Sequence, residues 1–170
     1  GIGGFSLGLE RAGMRTVAFC EIDPFARRGL AKHWPTVPCY DDIRTLTADR
    51  LASDGITVDV ICGGVPCQPF SQAGLRRGAA DERYLWPAME RAVRVLRPRV
   101  VVMENVDALV RAPEFGYVIG DLSSLGYDAE WDCVSACSVG APHTRSRVFV
   151  VAYPTGERFG GGRESWPARE

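Results

Sequence analysis

The run "RVVVMEN", residues 99–105, constrains the fold more than any other stretch of this chain. Consecutive apolar side chains leave a strand no polar face, so a sheet built around it must be covered on both sides. A second strand is expected at 58–62, emptying into glycines. Between the two lies an amphipathic stretch, 84–97, with Leu85, Met89, Ala92, Val93 and Leu96 on one helical face. The opening "GIGGFSLGLERAG" reads as a glycine turn feeding a helix, with Phe5, Leu9 and Ala12 at helical spacing and Gly13 as the stop. Residues 15–24, "RTVAFCEIDP", read as a strand ending in acids. Asp23 then serves as N-cap and Pro24 as the first residue of a helix running to His33. A helix at 115–125 and strands at 128–134 and 148–152 complete the pattern. Alternation of this kind indicates an α/β architecture, whose ligands sit outside the carboxyl ends of the strands.

Composition excludes several classes. The chain has 170 residues, 46% hydrophobic and 24% charged, enough for one globular core. No stretch approaches the ~20 apolar residues that span a bilayer, so no membrane association is expected. Six cysteines are too dilute for a disulfide scaffold, and the expected compartment is a reducing cytoplasm. The pairs Cys62/Cys67 and Cys133/Cys137 lack zinc-site spacing and a neighbouring histidine, so no metal is expected. Net charge is −1, which supplies no global field for a polyanion.

The suggestive residues fall at the expected strand ends. Gly1, Gly3 and Gly4 allow close backbone approach to a ligand. Glu21, about twenty residues on, stands where an acid accepts hydrogen bonds from ribose hydroxyls. Cys67 lies in "GGVPCQPFSQAG", between prolines that fix the backbone, which suits a presented nucleophile better than a packing cysteine. Glu104 ends an apolar strand, and burial there is expected to raise its pKa and suit it to proton donation. In "HTRSR", Arg145 and Arg147 stand at alternate positions entering a strand, and are expected on the same side. Each residue also has an ordinary reading: Glu21 as a cap, Glu104 as half of an ion pair, the arginines as a solvated edge.

In this order the motifs resemble those of the DNA cytosine-5 methyltransferases. "GIGGFSLGLERAG" is similar to that family's first motif, "CEIDP" to its second and "DDI" to its third. "GGVPCQPFSQAG" is similar to the catalytic fourth, "RYLWPAMERAVRVLRPRVVVMENV" to the segment ending in Glu-Asn-Val, and "GAPHTRSRVFVVA" to the arginine motif. The resemblance implies a Rossmann-like S-adenosylmethionine-dependent methyltransferase sheet, mostly parallel with an antiparallel last strand, in three αβα layers. It implies methyl transfer from S-adenosyl-L-methionine to carbon 5 of cytosine in double-stranded DNA, with the base flipped out of the helix. The implied catalytic residues are Cys67, Glu104, Arg147 and Arg145. Gly1, Ile2, Gly3, Gly4, Glu21, Ile22, Asp42, Ile43, Pro66 and Leu85 are implied for the cofactor. Gln68, Ser71, Asn105, Arg76 and Arg77 are implied for the substrate.

The resemblance also sets expectations about extent. Residues 1–152 correspond to a partial catalytic domain without the family's first strand. Residues 153–170 read as a loop or severed connection toward an absent target-recognition domain, and such a piece is expected to be poorly stable and weakly active alone. His143 replaces the family's usual glutamine. The implied setting is a monomer in the cytoplasm of a bacterial or phage-infected cell, accompanied in some systems by a restriction endonuclease. Rival readings are a tRNA cytosine-5 methyltransferase with the same fold, and a non-catalytic S-adenosylmethionine or nucleic-acid binding module.

Overall fold

The computed structural model describes residues 1–65 and 85–156. Helix α1 (Gly4–Arg11) is followed by the short strand β1 (Phe19–Cys20) and helix α2 (Pro24–His33). Asp23 caps α2 as expected: its carboxylate accepts from the Phe25 N–H at 2.8 Å, and Pro24 stands where a free N–H would have no partner. Two elements were not anticipated. Strand β2 (Cys39–Tyr40) has two residues, and helix α3 (Ala48–Ser53) has six, with only Leu51 buried. Neither is long enough to write a period into the sequence.

The central elements follow the expected pattern with small boundary shifts. Strand β3 (Val60–Gly64) leads through residues 66–84, outside the described range, to helix α4 (Trp86–Leu96) and strand β4 (Val100–Val106). Arg97, in the left-handed conformation at φ 47°, ends α4 just before Pro98. A 3₁₀ turn, Asp107–Arg111, joins β4 to helix α5 (Pro113–Ser124). The antiparallel strands β5 (Tyr127–Ser135) and β6 (Ser146–Pro154) follow.

The strands form two hydrogen-bonded groups. β1 and β2 pair in parallel, Phe19 opposite Cys39. The larger sheet has the order β3-β4-β6-β5. β3 runs parallel to β4, while β6 opposes both β4 and β5. Hence β3, β4 and β5 share a direction, and β6, last in chain order, runs against them, as the resemblance implied.

Pleating assigns the two faces. Val101 and Met103 of β4 lie opposite Ala152 and Val150 of β6, and all four join the core with Met89 and Val93 of α4 and Val118 and Leu122 of α5. Each such fully buried aliphatic side chain contributes about 1.5–3 kcal/mol. The intervening residues Val102, Glu104 and Phe149 face the other way. There Phe5 of α1 meets Phe149 edge-on, with ring centroids 6.3 Å apart. Helices therefore cover both faces, and Glu104 points away from the α4/α5 layer.

Candidate active site

The carboxyl ends of β1, β2, β3 and β4 carry Glu21, Asp42, Gly64 and Glu104. At the first of these, Gly3 stands at φ 90° as the N-terminal cap of α1, a conformation that favours glycine. A Cβ there would lie 2.5 Å from Cζ3 of Trp34 and 3.2 Å from Leu30. Trp34 is itself fixed, since its Nε1 donates to the Glu10 carboxylate at 2.9 Å and its ring meets Phe19 edge-on. Gly3 is therefore required by packing inside the protein as well as by any ligand above it. Gly1 and Gly4 have open space where a Cβ would be.

The Gly1 amino group donates to Oε2 of Glu21, while Oε1 accepts from the Asp23 N–H at 2.8 Å. Burial pushes the Glu21 pKa up, but the ammonium and the Asp23 amide together outweigh it, and the net shift is downward. The carboxylate is thus presented toward the glycine turn as an acceptor. Ile2 and Ile22, the chain neighbours of the two groups in contact, are 71% and 60% exposed. Asp42 already has a partner within the chain. Its carboxylate is taken by Arg44, through the backbone N–H at 2.8 Å and the guanidinium, which hold its pKa down. The Ile43 carbonyl is engaged by Arg91 at 2.6 Å, and the Ile43 side chain packs against the core beside Leu85.

At the ends of β3 and β4, Gly64 pairs with Glu104. Oε1 of Glu104 receives Nε of Arg147 at 3.0 Å, and Oε2 lies 3.0 Å from where a Gly64 Cβ would stand. Arg147 also donates to the Ser146 carbonyl at 2.6 Å. The side chains of Glu104 and Arg147 are 27% and 22% exposed. The expected buried carboxylate is therefore a partly exposed ion pair, because β6 delivers an arginine to the same face. Arg145 stands just before that strand. β6 begins at Ser146, and Arg145 is exposed and uses its carbonyl to accept from the Ala136 N–H.

Asn105 is 5% exposed and turned into the protein: Nδ2 donates to the Val65 carbonyl and Oδ1 accepts from the Val106 N–H, both at 2.8 Å. Pro66, Cys67, Gln68, Ser71, Arg76 and Arg77 lie outside the described residues. Sequence reasoning passed over Trp34 and the part Gly64 plays. Trp34 belongs to no motif, and the close approach of the Glu104 carboxylate to Gly64 is visible only once β3 and β4 are paired. Among the described residues no cluster of His, Cys, Asp and Glu could hold a metal, and no helix is long and apolar enough to cross a membrane.

The Glu21 acceptor and the Glu104–Arg147 pair both lie near the carboxyl ends of strands in an α/β fold, and comparison with known proteins specifies the class. The C-5 cytosine-specific DNA methylase family matches residues 1–167, and this chain belongs to that family. Type II methyltransferase M.NgoMIV of Neisseria gonorrhoeae is 38% identical over 157 residues, covering 89% of this chain and 49% of that protein. Type II methyltransferase M2.BsuMI of Bacillus subtilis is 36% identical over 160 residues, covering 89% and 40%. The chain thus spans half or less of the length of these relatives. Among solved structures, a prophage-encoded protein of E. coli assigned as a DNA modification methyltransferase is similar at TM-score 0.76 and 29% identity, covering 91% of this chain and 44% of that one. Spodoptera frugiperda DNMT2 shares the fold at TM-score 0.76 and 22% identity, covering 92% and 48%.

Proposed function

We propose that the protein carrying this chain methylates carbon 5 of cytosine in double-stranded DNA, with Cys67 as the nucleophile. The observation that carries the reading is the Glu104–Arg147 pair facing Gly64, three residues before Cys67, at the edge where an α/β sheet receives its ligands. Cytosine carbon 5 is too electron-poor to be methylated directly. The Cys67 thiolate forms a bond to carbon 6, and the displaced π electrons make carbon 5 nucleophilic. Once carbon 5 has gained its methyl group, a water molecule takes its proton and the carbon–hydrogen electrons re-form the ring double bond. The thiolate departs with the electrons of the carbon–sulfur bond, and the proton lent to ring N3 returns to Glu104. Glu104 holds the exocyclic amino group and ring N3 and moves a proton there as charge develops. Arg147 fixes the Glu104 carboxyl, so positioning is established before the base arrives.

The described residues fit S-adenosyl-L-methionine. Glu21 presents a carboxylate beside the glycine turn that would accept from ribose hydroxyls, and exposed Ile2 and Ile22 stand near it as apolar cover for an adenine. When bound, this cofactor supplies an electrophilic methyl group. Glu21 would hold its ribose, Ile22 its adenine and the Gly1–Gly4 turn its methionine end, with Pro66 and Leu85 lining the methyl donor's pocket. Asp42 and Ile43 would border the adenine edge by their chain position. Gln68, Ser71, Arg76 and Arg77 are assigned to the DNA, whose target base must leave the stack at a cost of a few kcal/mol. Arg145 is assigned, with Arg147, to steadying the catalytic loop and the base. The setting that follows is a monomeric cytoplasmic enzyme of a bacterial or phage restriction-modification system, with a cognate endonuclease as genetic partner.

The test uses the full-length protein with methyl-labelled cofactor, offered double-stranded DNA and tRNA side by side. Label is expected in DNA cytosine and lost in Cys67→Ser. Label confined to tRNA, or transfer persisting in the serine variant, contradicts the proposal.

A further inference from the structure

The β3–β4 ladder stops at Gly64 opposite Glu104. One residue further, Val65 is buried in the core cluster with Trp86 and Met89, and its carbonyl has left the ladder. A carbonyl buried there requires a donor, and the amide of Asn105 supplies it at 2.8 Å. The other end of the same amide accepts from the Val106 N–H. One planar side chain thus extends the ladder by a residue and fixes the direction in which the chain leaves β3. The geometry demands a donor and an acceptor at once. Aspartate has the shape without the donor and would set a carboxylate against a carbonyl oxygen; leucine has neither group.

Val65 lies two residues before Cys67. With Pro66 between them restricting the backbone, an error in direction at Val65 is passed on to the thiol. We propose that Asn105 is a positioning residue: through the Val65 carbonyl it sets where the Cys67 sulfur stands, and it does not itself contact the substrate. The proposal rests on the reading of Cys67 as the nucleophile.

The experiment compares full-length wild type with Asn105→Asp. A displacement near 1 Å at a reacting atom costs on the order of 100-fold in rate. The variant is expected to lose about 10- to 100-fold in kcat and in the rate of covalent adduct formation with 5-fluorocytosine DNA. Its KM for DNA and its cofactor affinity stay within about threefold of wild type, and circular dichroism reports a folded protein. A folded variant with wild-type kcat overturns the proposal, as does a raised KM with kcat unchanged, which marks direct substrate contact. Where Asn105→Asp does not fold, hydrogen exchange in the wild type decides. Side-chain amide protons of Asn105 that exchange as slowly as β4 backbone amides support the clamp, and exchange at the rate of an open amide overturns it. The wild-type adduct is the control that separates the two claims. Its absence refutes the nucleophile, whereas its presence with unaltered rates in the variant refutes only the positioning role.

Discussion

Replacing Gly3 by alanine separates two reasons for a glycine in the opening turn. The new Cβ meets Cζ3 and Cη2 of Trp34 at 2.5 and 2.7 Å, well inside contact distance, and the residue must keep φ near 90°. Left-handed backbone costs an L-residue about 1–2 kcal/mol, and overpacking of this kind about 1–3 kcal/mol. Lost freedom in the unfolded chain returns about 0.4–1 kcal/mol. The balance is a destabilisation of about 1–5 kcal/mol. Trp34 cannot swing away without releasing Glu10 and its contact with Phe19, so relaxation is limited. Urea denaturation of the full-length protein measures the single variant, Trp34→Ala and the double variant. The collision disappears in the double variant while the backbone strain remains, so the two changes should be less than additive by about 1–2 kcal/mol. Strict additivity refutes the packing argument and leaves backbone conformation and ligand approach as the reasons for the glycine; a Gly3→Ala variant within about 0.5 kcal/mol of wild type refutes the packing and backbone arguments together.

Three further outcomes follow from the same contacts. Arg147→Ala is expected to cost less than about 1 kcal/mol of stability, because the Glu104–Arg147 pair is partly exposed, yet to lower kcat by about 10- to 100-fold by freeing the carboxyl group; steady-state kinetics beside thermal melting check both halves. Glu10, Asp42 and Asp54 all have folded pKa values below their ordinary ones. Their stabilisation is complete above the ordinary values, 4.5 for Glu and 3.8 for Asp, and is lost as pH falls below them through the folded values, so the melting temperature should drop on the acid side; a melting temperature flat down to pH 3 contradicts this. Cys20 is exposed as a residue, yet burial of its thiol, with Asp42, Cys39, Asp41 and Glu21 nearby, pushes its pKa up to about 11, and burial also raises that of Cys62. Iodoacetamide followed by peptide mass spectrometry should label both slowly at neutral pH, with Cys20 reactivity still rising above pH 10.

What could be read in advance was whatever long range repetition or local chemistry writes into the chain. The unbroken apolar run of β4 required cover on both faces, and the Asp23-Pro24 pair determined where α2 begins. The short elements β2 and α3 carry too few buried side chains to show a period. Orientation was less legible than identity. Asn105 and Glu104 are neighbours, and strand alternation sends one into the core and the other to the opposite face, but which is which depends on the partners of β4. Arg145 and Arg147 look equivalent in sequence, and the contact with Glu104 made by Arg147 appears only once β6 is paired with β4. Trp34 could not have been singled out, since its meaning lies in a contact with Gly3 across 31 positions.

The central claim is a transient bond between one sulfur and a pyrimidine ring. DNA carrying 5-fluorocytosine blocks release, because fluorine at carbon 5 cannot leave as a proton does. Incubated with the full-length protein and S-adenosylmethionine, such DNA is expected to yield a covalent complex whose digestion places the nucleotide on Cys67. The same complex is expected to be absent in Cys67→Ser. A wild-type protein that methylates ordinary DNA yet forms no such complex, or a complex mapped to another residue, contradicts the account.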